Sequence, residues 1–339
     1  MAPVLGFIGK RVAFGILQII GVALGTFVLL RALPPDPVAG MIGTNPSPDA
    51  RRLASEALGL DKSLGGQLVE YAKGVAHGSF GTSWKDSTAV LPQVLDHLAV
   101  TLQFVVPAFL LALLISVPLG LYVASRPGSR LDRWVFGYSL FAGAQPEFWW
   151  GLIFVYVFFF KLQVLPAPLG LMDPIYVAPP EVTHFPLLDA IIAGQPDAAG
   201  NIAGHLVLPV VTLAFVLSGP MTKMTRQSAE AVFGSDYILY ARACGFPQGK
   251  VRRQMLRIAV SPVLTLVGIL FGFMLGGAVL LENVFSMPGL GQLALNATLN
   301  LDYPVIQGSV IVMTAIALTV FIVMDIAHAL LDPRVALDA

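Results

Sequence analysis

Charge is nearly absent from six long stretches of this chain, and that constrains its fold more than any motif does. The stretches are Val12–Leu30, Leu98–Ala124, Trp134–Phe160, His205–Pro220, Ile258–Leu281 and Val305–Leu331. A hydrocarbon core about 30 Å thick needs roughly 20 apolar helical residues to cross it. Inside lipid every backbone polar group must be satisfied internally, so such runs become helices. Composition agrees, with 56% hydrophobic and 12% charged residues and a mean hydropathy of +0.78. Soluble domains carry about 25% charged residues. The expected fold class is an all-α membrane protein with six transmembrane helices. A lone cysteine, Cys244, excludes an intramolecular disulfide framework or a Cys-based metal site.

Two of the six stretches need argument. Lys10 and Arg11 precede the first, as in a signal peptide, but the run is too long and Arg31 and Pro34-Pro35 stand where small cleavage-site residues belong. It is expected to be a retained helix. The fourth is interrupted by Pro209 and Gly219-Pro220, yet Leu206 to Leu217 is uncharged and neighbouring helices can resatisfy a proline-broken backbone. Orientation follows from the Lys and Arg bias of the short loops. With the N-terminus, the 125–133 and 221–257 loops and the C-terminal tail on one side, that side holds thirteen of the twenty cations and five acids, a net +8. The opposite side is net −6, and Glu147 and Asp325 lie within spans. Both termini are therefore expected to be cytoplasmic. The organisation reads as 1–32 (N-terminus and first span), 33–97 (an extracytoplasmic segment, Pro-rich and then helical from Asp49 to Gly74) and 98–339 (the core). A second outer segment, 166–203, is punctuated by Pro and Gly without clear periodicity.

Between the fourth and fifth spans, Ser235-Asp236-Tyr237-Ile238-Leu239-Tyr240-Ala241-Arg242-Ala243-Cys244-Gly245-Phe246-Pro247 reads as a short helix with both ends marked. Ser235 suits an N-cap, Asp236 the positive end of the helix dipole, and Gly245 a left-handed stop, with Pro247 preventing a restart. Tyr237, Tyr240, Ala241 and Cys244 share one face. A capped surface helix there suits docking against a second protein; the plain alternative is an ordinary amphipathic surface helix.

An intramembrane carboxylate is costly and tends to face a cavity or a partner. Glu147, in Gln145-Pro146-Glu147-Phe148-Trp149-Trp150, is thus a candidate path-lining group, and the alternative is a structural hydrogen bond. Asp325 is expected to pair with a cation at the inner face. Gly268, Gly272 and Gly276 form a small-residue stripe suited to close helix packing, here against a partner subunit.

At this point the residues carry a resemblance. The chain resembles the inner-membrane permease subunit of dipeptide/oligopeptide ABC importers. Asp236 to Gly245 matches the family's D-Y-x-x-x-A-R-A-x-G, and Glu282 to Gly291 its E-x-V-F-x-x-P-G-L-G. Asp302-Tyr303-Pro304 matches D-Y-P, and Leu330-Leu331-Asp332-Pro333-Arg334 the usual ending. Weaker echoes are Leu33 to Pro37, Gly78 to Ser83 and His205 to Pro209. The motifs run in order over nearly the whole chain.

The resemblance implies a type I ABC-importer permease fold in the bacterial inner membrane, forming half of a peptide pathway. It implies a homologous second permease, two ATP-binding subunits that hold ATP and Mg, and an extracytoplasmic solute-binding protein. It places ATPase coupling on residues 235–246, with Tyr237, Tyr240, Ala241, Arg242, Ala243, Cys244 and Gly245, and a path or gate on Glu282, Phe285, Pro288, Gly289, Asp302 and Tyr303 beside Glu147. The 282–304 segment has two readings, a hairpin dipping toward the path or a rigid plug capping helices five and six, and the resemblance favours the first. Leu239 and Tyr240 stand where the broader importer pattern has Glu and Ala, and Pro35 replaces a usual Gly.

Other chemistry is not supported. Gly245-Phe-Pro-Gln-Gly249-Lys250-Val251 is one residue short of a phosphate loop and lacks the Ser or Thr after Lys. No ATP site, cofactor or nucleic-acid partner is expected on this chain, and its histidines form no i, i+4 pair. Catalytic serine or acid pairs are not visible. Nickel, glutathione or another small solute is an alternative cargo, and a non-transporting membrane scaffold is the alternative from a different class.

Overall fold

The computed structural model describes residues 2–32, 38 and 47–331; the motif residues at 33–37 and 332–334 lie outside them. No strand occurs among the described residues, and twelve helices are labelled here in chain order. They are α1 (Ala2–Ala32), α2 (Pro48–Ala57), α3 (Leu64–Ala76), α4 (Val90–Ala124), α5 (Arg130–Ala144), α6 (Glu147–Phe154), α7 (Pro186–Ile192), α8 (Pro196–Phe233), α9 (Asp236–Ala243), α10 (Gln248–Val284), α11 (Leu290–Leu299) and α12 (Tyr303–Leu331). Five of these, α1, α4, α8, α10 and α12, are long and apolar enough to cross a membrane.

The third expected span, Trp134–Phe160, is not one helix. Gln145 is extended (φ −110°, ψ 145°) because the ring of Pro146 excludes the helical region from the residue before it. α5 ends there, α6 starts on Pro146, and a π-helical turn, Val155–Lys161, follows. The fourth span shows the opposite outcome. α8 runs unbroken for 38 residues with Pro209 and Pro220 inside it. Prolines free carbonyls one turn back, and near Pro220 the Phe215 carbonyl accepts from the Tyr138 hydroxyl at 2.9 Å and from the Ser218 hydroxyl at 2.9 Å.

The centre of the molecule is the α4–α8 pair. Phe104, Ala108 and Ala112 of α4 pack in one core with Ile202, Leu213, Leu217 and Met221 of α8. The helices nearly touch at Gly120, where a Cβ would lie 2.6 Å from the Thr225 Cβ. The Ser116 hydroxyl donates to the Ser218 carbonyl at 3.1 Å. α5 is tied to the same helix by Arg226, whose Nε donates to Asp132 at 2.5 Å and whose Nη2 donates to Asp132 at 3.0 Å and reaches Glu230 at 2.8 Å. That guanidinium holds the Asp132 carboxyl below the usual carboxylate range.

α1 lies along α12, and Arg11 pairs with Asp325 at 3.2 Å, giving that acid a cation partner. At its other end Phe27 stacks on Tyr71 of α3, and Arg31 donates to Gln67 at 2.6 Å. The helical pattern of 49–74 is thus two helices, split at Gly59 (φ +66°) and restarted by the Ser63 hydroxyl, which accepts from the Gly66 amide. The 166–203 segment is also more regular than its sequence suggests, since it contains α7 and the first turns of α8.

Candidate functional site

Three groups of expected site residues fall in three places. The first is α9. Ile238 is fully buried against Val251 and Met255 of α10, which pins the helix to its neighbour. The opposite side is bare: Tyr237 is 58% and Tyr240 70% exposed, and Arg242, Ala243, Cys244 and Gly245 are exposed too. Ala241 is half-buried at the floor of a groove of about 310 Å³ walled by Tyr237, Tyr240, Phe246, Lys250 and Gln254. Covering these exposed aromatic side chains would remove apolar area from water. Gly245 adopts φ +73° as expected, with nothing within 4 Å of a Cβ built on it.

Two local expectations are corrected. The Ser235 hydroxyl makes no cap bond to the first turn; it donates backward to the Val232 carbonyl at 2.8 Å. Pro247 does not prevent a restart but is the N-cap of α10, since its fixed φ suits the entry to a helix. Sequence reasoning overlooked Ile238, Phe246 and Gln254. Ile238 had no clear signal, since helical spacing sets Leu239, which is exposed, opposite the tyrosine face; the groove wall from α10 had none either, because it depends on how two helices meet.

The second group is the turn after α10. Glu282 is fully buried and crosses to two other helices. It accepts from the Thr101 hydroxyl of α4 at 2.7 Å and from the Gln292 amide in the first turn of α11 at 2.7 Å. Thr101 in turn accepts from the Leu290 amide at 2.8 Å. A carboxylate therefore caps the N-terminus of α11 from another helix, where the dipole also favours negative charge. The glycines of the motif make room for it. A Cβ on Gly289 would lie 2.2 Å from Glu282 Oε1, and one on Gly291 would lie 2.6 Å from the Val279 side chain. Phe285 is buried and Pro288 is exposed.

Asp302 repeats the device at the start of α12. It is buried and accepts from the Ser83 hydroxyl at 2.5 Å, the Trp84 amide at 3.2 Å and the Lys85 amide at 3.3 Å. Tyr303 packs beside Trp84 with ring centroids 5.1 Å apart. Segment 282–304 is thus tied by hydrogen bonds to α4 and to the 81–89 turn.

The third place is the middle of the chain. Glu147 is half-buried in the first turn of α6, directly after the Pro146 break, and its Oε1 would lie 2.9 Å from a Cβ on Gly277 of α10. The glycine stripe is largely used within the chain: Gly268 and Gly272 face the Phe321 ring of α12, and only Gly276 has nothing within 4 Å. The expectation that the whole stripe meets a partner fails because α12 already fills two thirds of it.

Residues 116–337 match the family described as the binding-protein-dependent transport system inner membrane component, and residues 4–105 match the description of its N-terminal region. The chain is 33% identical over 336 residues to the dipeptide transport system permease protein DppB of Escherichia coli K12, covering 98% of each. It is 34% identical over 333 residues to the di/tripeptide transport system permease protein DppB of Pseudomonas aeruginosa, again 98% of each. Against the oligopeptide transport system permease protein AppB of Bacillus subtilis it is 31% identical over 331 residues, 97% of this chain and 98% of that one.

Proposed function

This chain belongs to the family of binding-protein-dependent transport system inner membrane components, and we propose that it forms one half of a peptide pathway in an ATP-driven importer. The observation that carries this reading is α9, a short helix anchored by one buried residue and presenting Tyr237, Tyr240 and the Ala241 groove to solvent. An ATP-hydrolysing subunit docks there and pushes on α10 through Ile238, Val251 and Met255. A second, homologous permease completes the pathway, each half receives an ATPase, and a solute-binding protein delivers cargo to the opposite face. The chain itself supplies no phosphate-cradling loop, so hydrolysis belongs to the docked subunits.

The sixth crossing in this reading is the broken α5–α6 segment. Residues 134–161 rise by up to about 1.5 Å each, enough for a core of about 30 Å even with a kink. Discontinuous helices are tolerated in membranes where other helices or a cavity surround the break. Glu147 lies there, which supports its facing the pathway at the joint with Gly277. The basic end of the bundle, with Arg126, Arg130, Arg226, Arg252 and Arg253, faces the cytoplasm, and both termini lie on that side. Rocking of the bundle alternates access, and the Glu282 and Asp302 clamps keep the outer cap in register as it moves.

The test is co-purification. Wild-type chain should retain the ATPase subunits through affinity purification, and Ala241→Trp should lose them while still inserting in the membrane. Full ATPase retention by Ala241→Trp would exclude α9 as the docking element. Nickel or glutathione as cargo is distinguished by competition: excess dipeptide should suppress uptake, and suppression by the other solutes alone would assign the chain to them.

A further inference from the structure

A partly open cavity of about 280 Å³ lies between the first turns of α4, the 171–186 segment and the start of α8. Its walls are mostly apolar, with Leu171, Met172 and Ile202 among them, and no lysine or arginine lines it. Three carboxylates do. Asp189 is spent at the back: it is buried and accepts from the Thr183 amide at 2.8 Å and the Thr183 hydroxyl at 2.7 Å, which fold the 181–186 turn over the cavity. Asp96 and Glu181 stand differently. Asp96 is bonded only to His184, whose backbone is in the left-handed region at φ +65°, and Glu181 is exposed with no partner among the described residues.

We infer that this cavity is a subsite for an ammonium group carried on an apolar residue, which under the function proposed above, on which this assignment rests, is the amino-terminal residue of a peptide. Charge selects the ligand: Glu181 and the His184-paired Asp96 over apolar walls, with only His97 and His184 as basic groups, favour a cation with a hydrophobic body. Size limits it. Sites for drug-sized ligands run from about 300 to 1,000 Å³, so this space accepts one residue and its immediate neighbour, not a whole oligopeptide. Exposed Pro288 belongs to its lining, so an occupant touches the clamped turn after α10 directly.

The test uses the assembled permease in nanodiscs carrying Met172→Cys, with Leu171→Cys as a second reporter should the first fail to assemble. Maleimide labelling of the new cysteine is followed by mass spectrometry, with the unsubstituted chain, whose sole cysteine is Cys244, as the background control. Leucinamide supplies the ammonium and side chain; N-acetyl-leucinamide is the neutral control. Leucinamide at twice its dissociation constant should slow labelling about threefold, since protection scales as one plus occupancy ratio. N-acetyl-leucinamide should not slow it, and Asp96→Asn with Glu181→Gln should abolish the protection. Equal protection by both probes, or by neither, overturns the assignment. ATP-driven peptide uptake by the same complexes is measured in parallel: uptake without protection removes the subsite alone, whereas protection without uptake removes the transport reading and leaves the cation site standing.

Discussion

The contact between Gly289 and Glu282 offers the sharpest test of how the conspicuous Glu282–Gly291 motif works. Gly289 sits at φ −91° and ψ 175°, a region open to any residue, so backbone freedom does not require glycine there. Space does. An alanine Cβ would lie 2.2 Å from Oε1, 2.3 Å from the carboxyl carbon and 2.7 Å from Oε2 of Glu282. The carboxylate would have to withdraw and release Thr101 and the Gln292 amide, both now at 2.7 Å. Hydrogen bonds to charged groups contribute about 1.5–3 kcal/mol each and overpacking costs about 1–3 kcal/mol. Loss of the two bonds alone sets the cost of Gly289→Ala at about 3–6 kcal/mol, and incomplete withdrawal of the carboxylate exchanges part of it for overpacking. In a Glu282→Ala background the obstacle is gone, and the same change should cost under about 0.5 kcal/mol, giving a coupling of roughly 3 kcal/mol or more. The assay is a double-mutant cycle from reversible unfolding in bicelles. An equal penalty in both backgrounds would show that Gly289 is needed for something other than the Glu282 cap.

Other perturbations follow from the same geometry. Asp132→Asn removes a carboxylate held below its ordinary range by Arg226, so the wild-type advantage should be complete above about pH 4 and shrink as pH falls through the depressed value; denaturation across pH 2–7 checks it, and an advantage growing with acid would refute the pairing. Gly120→Val forces α4 from α8, because its Cβ would meet Thr225 at 2.6 Å and the Arg226 amide at 3.1 Å, and should cost about 3 kcal/mol or prevent assembly. Glu147→Gln should assemble normally yet change transport or its coupling, and unchanged kinetics in Glu147→Leu would make that carboxylate structural.

What was legible in the sequence was whatever depends on local chemistry. Gly245 reads as a left-handed stop because few other residues tolerate φ +73°, and the apolar runs read as helices because lipid leaves the backbone no alternative. The Gln145–Pro146 break was also local, but an apolar run gives no sign of which proline breaks a helix and which is absorbed. Pro209 and Pro220 are absorbed because α4 and Tyr138 surround α8; Pro146 is not. Tertiary partners were the illegible part. Nothing near Gly268 in the chain points to Phe321, and nothing near Glu282 points to Thr101, so the partners that hold these residues could not be read from local chemistry.

The central claim, that α9 transmits ATP hydrolysis to the pathway, is tested most directly by peptide uptake into proteoliposomes holding both permeases, the ATPases and the loaded binding protein. Gly245→Val adds a β-branched side chain at φ +73°, where space is open but the conformation is strained, and Ala241→Trp fills the groove floor. Neither change touches a spanning segment. The account predicts ATP-dependent accumulation by wild type and its loss in both variants at normal membrane levels. Wild-type accumulation in both would contradict it.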